Sequence, residues 1–358
     1  MANHLLSICC LGFNHAKFIK ENLDSIYRIG YSNIEVIVVD DGSSDNSISI
    51  LNNIANNYPF PINIISQKNT GNIGKNFNVA LHQAKGEFVS FIALDDVFNS
   101  KTVLNEINLI NQNPRFAFIA SRKAIAIDES GMILENLPPL PIADKENFSI
   151  EELLEFEYSN FGPFYIQGSI FKKSIIDSIS GFDEDMTGDD IVLRTKLFRY
   201  LLSQPKWEHF FVSDNNVFYR LHDNNIHKNS VRQIRIVTEY LAKYWPDRPN
   251  PKILIDWAIH AISDKNFEEA ISLLSVNQRS TQLLSNNRVI KLLKEIMMRD
   301  IRKSSKIHKI ISKYIYRKES PTPDTRKITL FGTIPIGYRK KIETIPKPLP
   351  SIHYSEYQ

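Results

Sequence analysis

The chain has little cysteine: its 358 residues carry two, the adjacent Cys9 and Cys10. Neighbours on a strand point to opposite faces, so these two are poorly placed to bridge each other, and no disulfide framework exists. A reducing compartment is expected. Charge of one sign is also scarce. The formal net charge is +3, too small by itself to mark a nucleic-acid binder. No apolar run reaches the roughly 18–20 residues of a membrane span. The N-terminus lacks a basic segment followed by a long apolar stretch, so no signal peptide is expected. These absences point to a cytoplasmic protein, with a peripheral place on the inner face of the cytoplasmic membrane still open. No Cys/His cluster suggests zinc. His15, His82 and the remaining histidines lack metal-ligand spacing. There is no serine elbow and no Gly-x-x-x-x-Gly-Lys phosphate loop.

What remains is ordinary in bulk and specific in detail. With 42% hydrophobic and 23% charged residues, the composition is that of a globular protein. The length predicts one large domain plus a smaller one. The stretch Phe88-Val89-Ser90-Phe91-Ile92-Ala93-Leu94 is apolar at strand length and ends in Asp95-Asp96. Such a run suits a strand covered on both faces. Glu35-Val36-Ile37-Val38-Val39 ends the same way, in Asp40-Asp41-Gly42-Ser43-Ser44-Asp45. In open α/β sheets the ligand crevice lies off the carboxyl ends of the strands. Acids placed there can hold a hard divalent cation, and the cation can carry a diphosphate. The competing reading is that each pair caps the helix after it.

Between these strands the pattern alternates. Leu5–Leu11 reads as a first strand, followed by a helix with Phe18/Ile19, Leu23 and Ile26 on one face and Gly30 as its stop. A helix with Ile48, Leu51 and Ile54 follows Asp45, then a short strand at Ile62–Ile65 and a glycine-containing loop into the helix of His82. A helix over about 102–111 and a strand at Phe116–Ala120 continue the series. This predicts α/β architecture with a mostly parallel, Rossmann-like sheet flanked by helices. Asp128-Glu129-Ser130-Gly131 predicts a hairpin turn. From about Val231 the texture becomes helical, with Ala258, Ala261 and Asn266–Ile271 resembling one tetratricopeptide-like helix pair without a second copy.

In this order the motifs resemble those of the family 2 glycosyltransferases, an inverting group with the GT-A fold. Ser7…Phe13-Asn14 is similar to the family's first strand and turn. Val38-Val39-Asp40-Asp41-Gly42-Ser43-Ser44-Asp45 is similar to its Val-Asp-Asp-Gly-Ser-x-Asp signature. Gly71…Lys75…Asn78…Ala84-Lys85-Gly86-Glu87 resembles the loop and helix before the metal-bearing strand. Gly181-Phe182-Asp183-Glu184 followed by Asp189-Asp190 resembles the region of the catalytic base, and Tyr219-Arg220-x-His222-x-x-Asn225 a closing motif. The resemblance covers roughly residues 4–230. It implies a GT-A catalytic domain over 1–230; for the rest, the residue texture alone predicts a helical domain over 231–320 and a proline-rich basic tail over 321–358.

The resemblance also implies roles. Asp40 and Asp41 would bind base and ribose, with Phe13 facing the nucleobase and Asn14 in the turn. Asp96 would hold Mn2+ or Mg2+, while Asp95 touches either ribose or metal. His222 is either a third metal ligand or a diphosphate contact, and Lys75 either reaches the nucleotide or is a solvated helix lysine. Asp190 is the expected general base with Asp189 beside it, although the motif blurs that choice by one residue. Gly168-Ser169 would shape the acceptor pocket. The implied partners are a nucleotide-diphosphate sugar, UDP-linked, and a glycan or lipid-linked glycan of a bacterial surface polysaccharide, with no nucleic acid. Two other readings compete: a catalytically silent nucleotide- or glycan-binding protein on the same fold, and a nucleotidyltransferase. The basic amphipathic segment Lys306–Arg317 either lies on an anionic membrane or packs on its own domain.

Overall fold

The computed structural model describes residues 3–134, 140, 142–222 and 230–303, and the backbone of 316–322, 325–330 and 334–339. The chain divides into two compact units, Met1–Ile226 and His227–Gln358.

The first unit opens with β1 (Leu6–Gly12), α1 (Ile19–Arg28), β2 (Ile34–Asp40), α2 (Ser47–Ile54), β3 (Ile62–Ser66), α3 (Ile73–Gln83) and β4 (Phe88–Ala93). It continues through β5 (Val97–Phe98), α4 (Ser100–Gln112), β6 (Phe116–Ser121), β7 (Ile125–Ile127), β8 (Ile133–Leu134) and α5 (Ile150–Asn160). The last elements are β9 (Ile170–Lys172), α6 (Lys173–Ser178), α7 (Asp190–Leu202), β10 (Glu208–Val212) and β11 (Val217–Arg220). The main sheet has the order β10-β6-β9-β4-β1-β2-β3. β1 pairs in parallel with both β2 and β4, and β9 enters antiparallel between β4 and β6.

Alternation along these strands feeds two cores. Cys9, Ile37, Val39, Val89 and Phe91 pack with Phe77, Ala80 and Leu81 of α3 and Leu193 and Leu197 of α7. Ile8, Cys10, Val36, Val38 and Ile92 pack on the other side with Ile19, Leu23 and Ile26 of α1 and Val103 and Ile107 of α4. The two cysteines therefore belong to different cores, both buried and free. Each fully buried aliphatic or aromatic side chain contributes roughly 1.5–3 kcal/mol, so both sheet faces are committed and function is left to the strand ends.

Two local features follow the sequence. Gly30 ends α1 with φ +71°, and β7 and β8 form the expected hairpin around Asp128–Gly131. Before β9 the chain turns at Gly168, φ +77°, and Gln167 forms an isolated parallel bridge to Phe91 of β4.

The second unit contains α8 (Ser230–Tyr244), α9 (Lys252–Ser263), α10 (Phe267–Leu274), α11 (Gln278–Thr281) and α12 (Asn287–Lys303), then β12 (Tyr316–Thr322), β13 (Thr325–Leu330) and β14 (Ile334–Arg339). Asn266 and Glu269 form a reciprocal capping box at α10. The three strands make an antiparallel sheet in sequence order. Of the basic segment Lys306–Arg317, residues 306–315 lie outside the described residues, and Arg317 belongs to a strand rather than to a helix. β12 runs across the expected start of the tail at 321. Among the described residues, no helix is long and apolar enough to cross a membrane.

Candidate active site

β1, β2 and β4 end side by side, and each delivers a turn to the same sheet edge. After β1 the chain turns at Asn14, which adopts φ +59°, a conformation asparagine tolerates better than most residues. Its side-chain Oδ1 accepts from the amides of Ser44 at 2.8 Å and Asp45 at 3.3 Å. Its own amide donates to Ser43 Oγ at 2.8 Å. The β1 and β2 turns are thereby tied together. Phe13, 45% exposed, stands beside them.

Asp40 is fully buried and accepts from the Ser43 amide at 2.9 Å and from the Ser43 hydroxyl. Asp41 accepts from the amides of Thr70 at 2.8 Å and Gly71 at 3.1 Å, and at longer range from Gln67 Nε2 (3.2 Å) and Thr70 Oγ1 (3.3 Å). Burial works to raise the Asp41 carboxyl, but these donors outweigh it and hold the group below the usual carboxylate range. Neither acid caps α2 directly; Asp45 accepts from the Ser47 amide at 2.9 Å instead.

The second acid pair is built differently. Asp95 Oδ2 lies 3.0 Å from His222 Nε2 and 3.6 Å from His15 Nε2. Asp96 Oδ1 accepts from the Arg220 amide at 2.8 Å. His15 Nδ1, Asp95 Oδ1 and Asp96 Oδ2 are buried with no hydrogen-bond partner. Burial and the neighbouring Asp95 charge push the Asp96 carboxyl well above its ordinary value. For Asp95, burial also acts upward, but the His222 hydrogen bond and the His15 imidazole win and hold it low. Burial pushes His15 below its ordinary value against the pull of Asp95, which favours the neutral imidazole that can ligate a metal.

Arg220, wholly buried, pins the turn in place. Its Nε donates to the Asp95 carbonyl at 2.7 Å, its Nη1 to the carbonyls of Asp128 and Glu129, and its Nη2 meets Glu21 Oε2 at 2.5 Å. The guanidinium lies over the Phe18 ring, which also stacks on His222. The pair Asp95-Asp96 does not cap α4, which starts only at Ser100.

Among the described residues, His15, Asp95 and His222 form the group able to hold a metal ion, with one donor atom from each lying within 4.8 Å of the others. Two imidazoles, one carboxylate and unpartnered oxygens fit a divalent cation. His15, whose sequence spacing carries no metal-ligand signal, stands in this group. The β1 turn folds it against the end of β4, a proximity no local motif carries. Asp96 lies beside this group rather than in it.

Asp190 opens α7, with Asp189 before it. Its side chain is 29% exposed and its Oδ2 sits 3.4 Å from Arg194 Nη1. Arg194 is already claimed by a two-pronged contact with buried Glu157, at 2.8 and 3.0 Å. Burial, then the neighbouring charge of Asp189, push Asp190 up to about 7. Tyr165 and Tyr219 stack with ring centroids 5.8 Å apart, and each feels the charges of both Asp190 and Asp96. This aromatic stack, which pairs Tyr219 of the closing motif with Tyr165, lies within the field of both acid regions.

The Gly181–Glu184 motif is structural here. Asn78 holds it by donating to the Phe182 carbonyl and accepting from the Phe182 amide, each at 2.9 Å. Gly181 takes φ +53°, and a Cβ there would meet Asn78 Oδ1 at 2.5 Å. Lys75 is exposed on the first turn of α3, where its amide donates to the Asn72 cap at 2.9 Å. Gly168 turns at φ +77° with its amide on the Phe91 carbonyl, and Ser169 Oγ donates to the Tyr165 carbonyl. Asn225 lies outside the described residues.

Residues 7–179 match the family model for glycosyl transferase family 2. An uncharacterized glycosyltransferase of Rickettsia felis is 33% identical over 153 residues, 42% of this chain and 25% of that protein. The poly(ribitol-phosphate) beta-N-acetylglucosaminyltransferase TarS of Staphylococcus aureus is 32% identical over 115 residues, 32% of this chain and 20% of that protein. The chain spans about a quarter of the length of the curated relatives it matches. In structure it is similar to S. aureus TarS 1-349 in complex with UDP-GlcNAc (TM-score 0.55, 17% identity, 95% of this chain and 100% of that one). It is also similar to the mannosyltransferase PcManGT from Pyrobaculum calidifontis in complex with GDP-Man and Mn2+ (TM-score 0.51, 16% identity, 87% and 89% covered). At those identities the structural likeness speaks for the fold. Residues 7–179, just under half of the chain, thus match glycosyl transferase family 2, on a fold shared with these two glycosyltransferases.

Proposed function

We propose that the chain is an inverting, metal-dependent glycosyltransferase that moves a sugar from a UDP-sugar to a hydroxyl of a glycan or lipid-linked glycan. The setting proposed is bacterial surface-polysaccharide synthesis in the cytoplasm. The proposed organisation is a catalytic domain over 1–230, a helical region from 231 and a basic tail after 320. The observation that carries the reading is the unpartnered carboxylate oxygens of Asp95 and Asp96 beside His222, at the end of the strand that adjoins β1. TarS, solved with UDP-GlcNAc, and PcManGT, solved with GDP-Man and Mn2+, support it by their shared fold.

Asp40 and Asp41 shape the nucleoside end, with Phe13 as an exposed ring for the base and Asn14 locking the turn. All four acceptor positions of Asp41 are used, so a nucleobase would replace the longer bonds from Gln67 and Thr70 Oγ1. Lys75, exposed at the start of α3, supplies positive charge on the nucleotide side. Asp95 and His222, with the Asp96 carboxylate beside them, would hold Mn2+ or Mg2+, which when bound would neutralise charge growing on the departing diphosphate. Asp190 is the general base: its carboxylate takes the proton from the acceptor hydroxyl. That oxygen attacks the anomeric carbon opposite the diphosphate, the new C–O bond forms as the bond to phosphate breaks, and the configuration inverts. Asp189 raises the proton affinity of Asp190 by like charge. Tyr165 and Tyr219 offer apolar faces between base and diphosphate ends, and Gly168-Ser169 border them.

The test is hydrolysis or transfer from a panel of UDP- and GDP-sugars by the full chain with Mn2+, Mg2+ or EDTA. Release of UDP only with metal is expected. Turnover unaffected by EDTA, or confined to GDP-sugars, would contradict the metal or the donor assignment respectively.

A further inference from the structure

The β1–α1 turn places a second imidazole where a single histidine would complete the donor set just described. His15 is fixed on both sides through its backbone: its amide donates to Ser47 Oγ at 3.1 Å, and its carbonyl accepts from the Phe18 amide at 2.8 Å. The next amide, of Ala16, donates to Asp45 Oδ2 at 3.1 Å. The backbone that carries the imidazole is therefore fixed, and the ring itself meets Phe18 and His222 edge-on, with centroids 6.3 and 6.2 Å away. It reaches Asp95 Oδ2 at 3.6 Å, with side-chain exposures of 16% for His15 and 10% for Asp95. An ordinary structural histidine of that burial satisfies both ring nitrogens, yet His15 Nδ1 has no partner and neither has Asp95 Oδ1. The three donors come from turns at residues 15, 95 and 222 and fall within 4.8 Å of one another.

We propose that His15 ligates the cation together with Asp95 and His222, and that its imidazole makes the site select a first-row transition cation over Mg2+. The proposal rests on the donor-site reading above. Mg2+ prefers oxygen ligands and sheds water reluctantly, whereas imidazole suits transition metals. With one imidazole and carboxylates the site would accept either ion. Two imidazoles and one carboxylate tilt it, and three protein ligands leave positions open for diphosphate oxygens.

The experiment uses the full chain with UDP, Mn2+ as the spectroscopic probe and Mg2+ as competitor. Pulsed paramagnetic resonance on bound Mn2+ counts ligating nitrogens, and titration gives both affinities. The native protein is expected to show two imidazole nitrogens, and His15→Asn and His222→Asn one each. His15→Asn should weaken Mn2+ by at least the 10–100-fold seen for outer-shell partners. It should change Mg2+ by less than about threefold, compressing the preference. A native count of one nitrogen, two nitrogens persisting in His15→Asn, or equal weakening of both ions would overturn the role of His15 while leaving the donor site standing. Failure of Mn2+ to bind in the presence of UDP would remove the donor-site reading itself. The native nitrogen count decides the matter even where a variant does not fold.

Discussion

Asp40-Asp41 and Asp95-Asp96 are the same dipeptide at the ends of two strands that flank β1, yet the structure treats them in opposite ways. The first pair is saturated. Backbone amides of the 43 and 70–71 turns donate into it, and Asp41 is held in its charged form. The second pair is left open. Each of Asp95 and Asp96 keeps a buried oxygen without a donor, and Asp96 is pushed towards its neutral form. Saturated acids organise loops and stabilise the fold. Open acids cost stability until a cation arrives, which is the arrangement expected of a site that binds one. A third such pair, Asp189-Asp190, lies between these cases, partly exposed and raised to about 7.

The comparison can be broken most forcefully at the third pair. Asp190→Asn should lower UDP-sugar turnover by about 10²–10⁴-fold with UDP affinity unchanged. Near-normal turnover would move the base to Asp189 or elsewhere. In the native enzyme the base must be deprotonated, so activity should rise with pH and level off above about 7. Below that value the rate should fall about tenfold per unit, and a profile flat from pH 5 to 8 would refute the assignment. The same raised proton affinity means that Asp190 costs stability as pH rises from the ordinary carboxylate value towards 7. Asp190→Asn should therefore gain on the native protein in urea midpoint over that window.

The smallest effects sharpen the contrast between the first two pairs. Asp41→Ala strands the amides of Thr70 and Gly71 and should cost roughly 1–3 kcal/mol in urea unfolding. Asp96→Asn removes an unsatisfied buried acid and should leave metal-free stability unchanged or raised. Equal losses in both variants would erase the distinction.

Much of the first unit was legible because strand-length apolar runs, Gly30 and the Asp128–Gly131 turn each specify local structure. The acid pairs were legible as well, but not their difference, since which amides reach a carboxylate is decided by loops distant in sequence. The grouping of His15 with Asp95 and His222, and the stacking of Tyr165 on Tyr219, are long-range meetings that no periodicity announces. The Arg194–Glu157 pair, which limits what Arg194 can give Asp190, was hidden for the same reason.

The most direct test is calorimetric titration of UDP into the full chain with Mn2+ and with EDTA, repeated for Asp95→Asn. Binding that needs Mn2+ and weakens by about 100-fold or more in the variant is the predicted result. UDP binding indifferent to EDTA, or unchanged in Asp95→Asn, would contradict the claim that the open acid pair on β4 is the cation-dependent donor site.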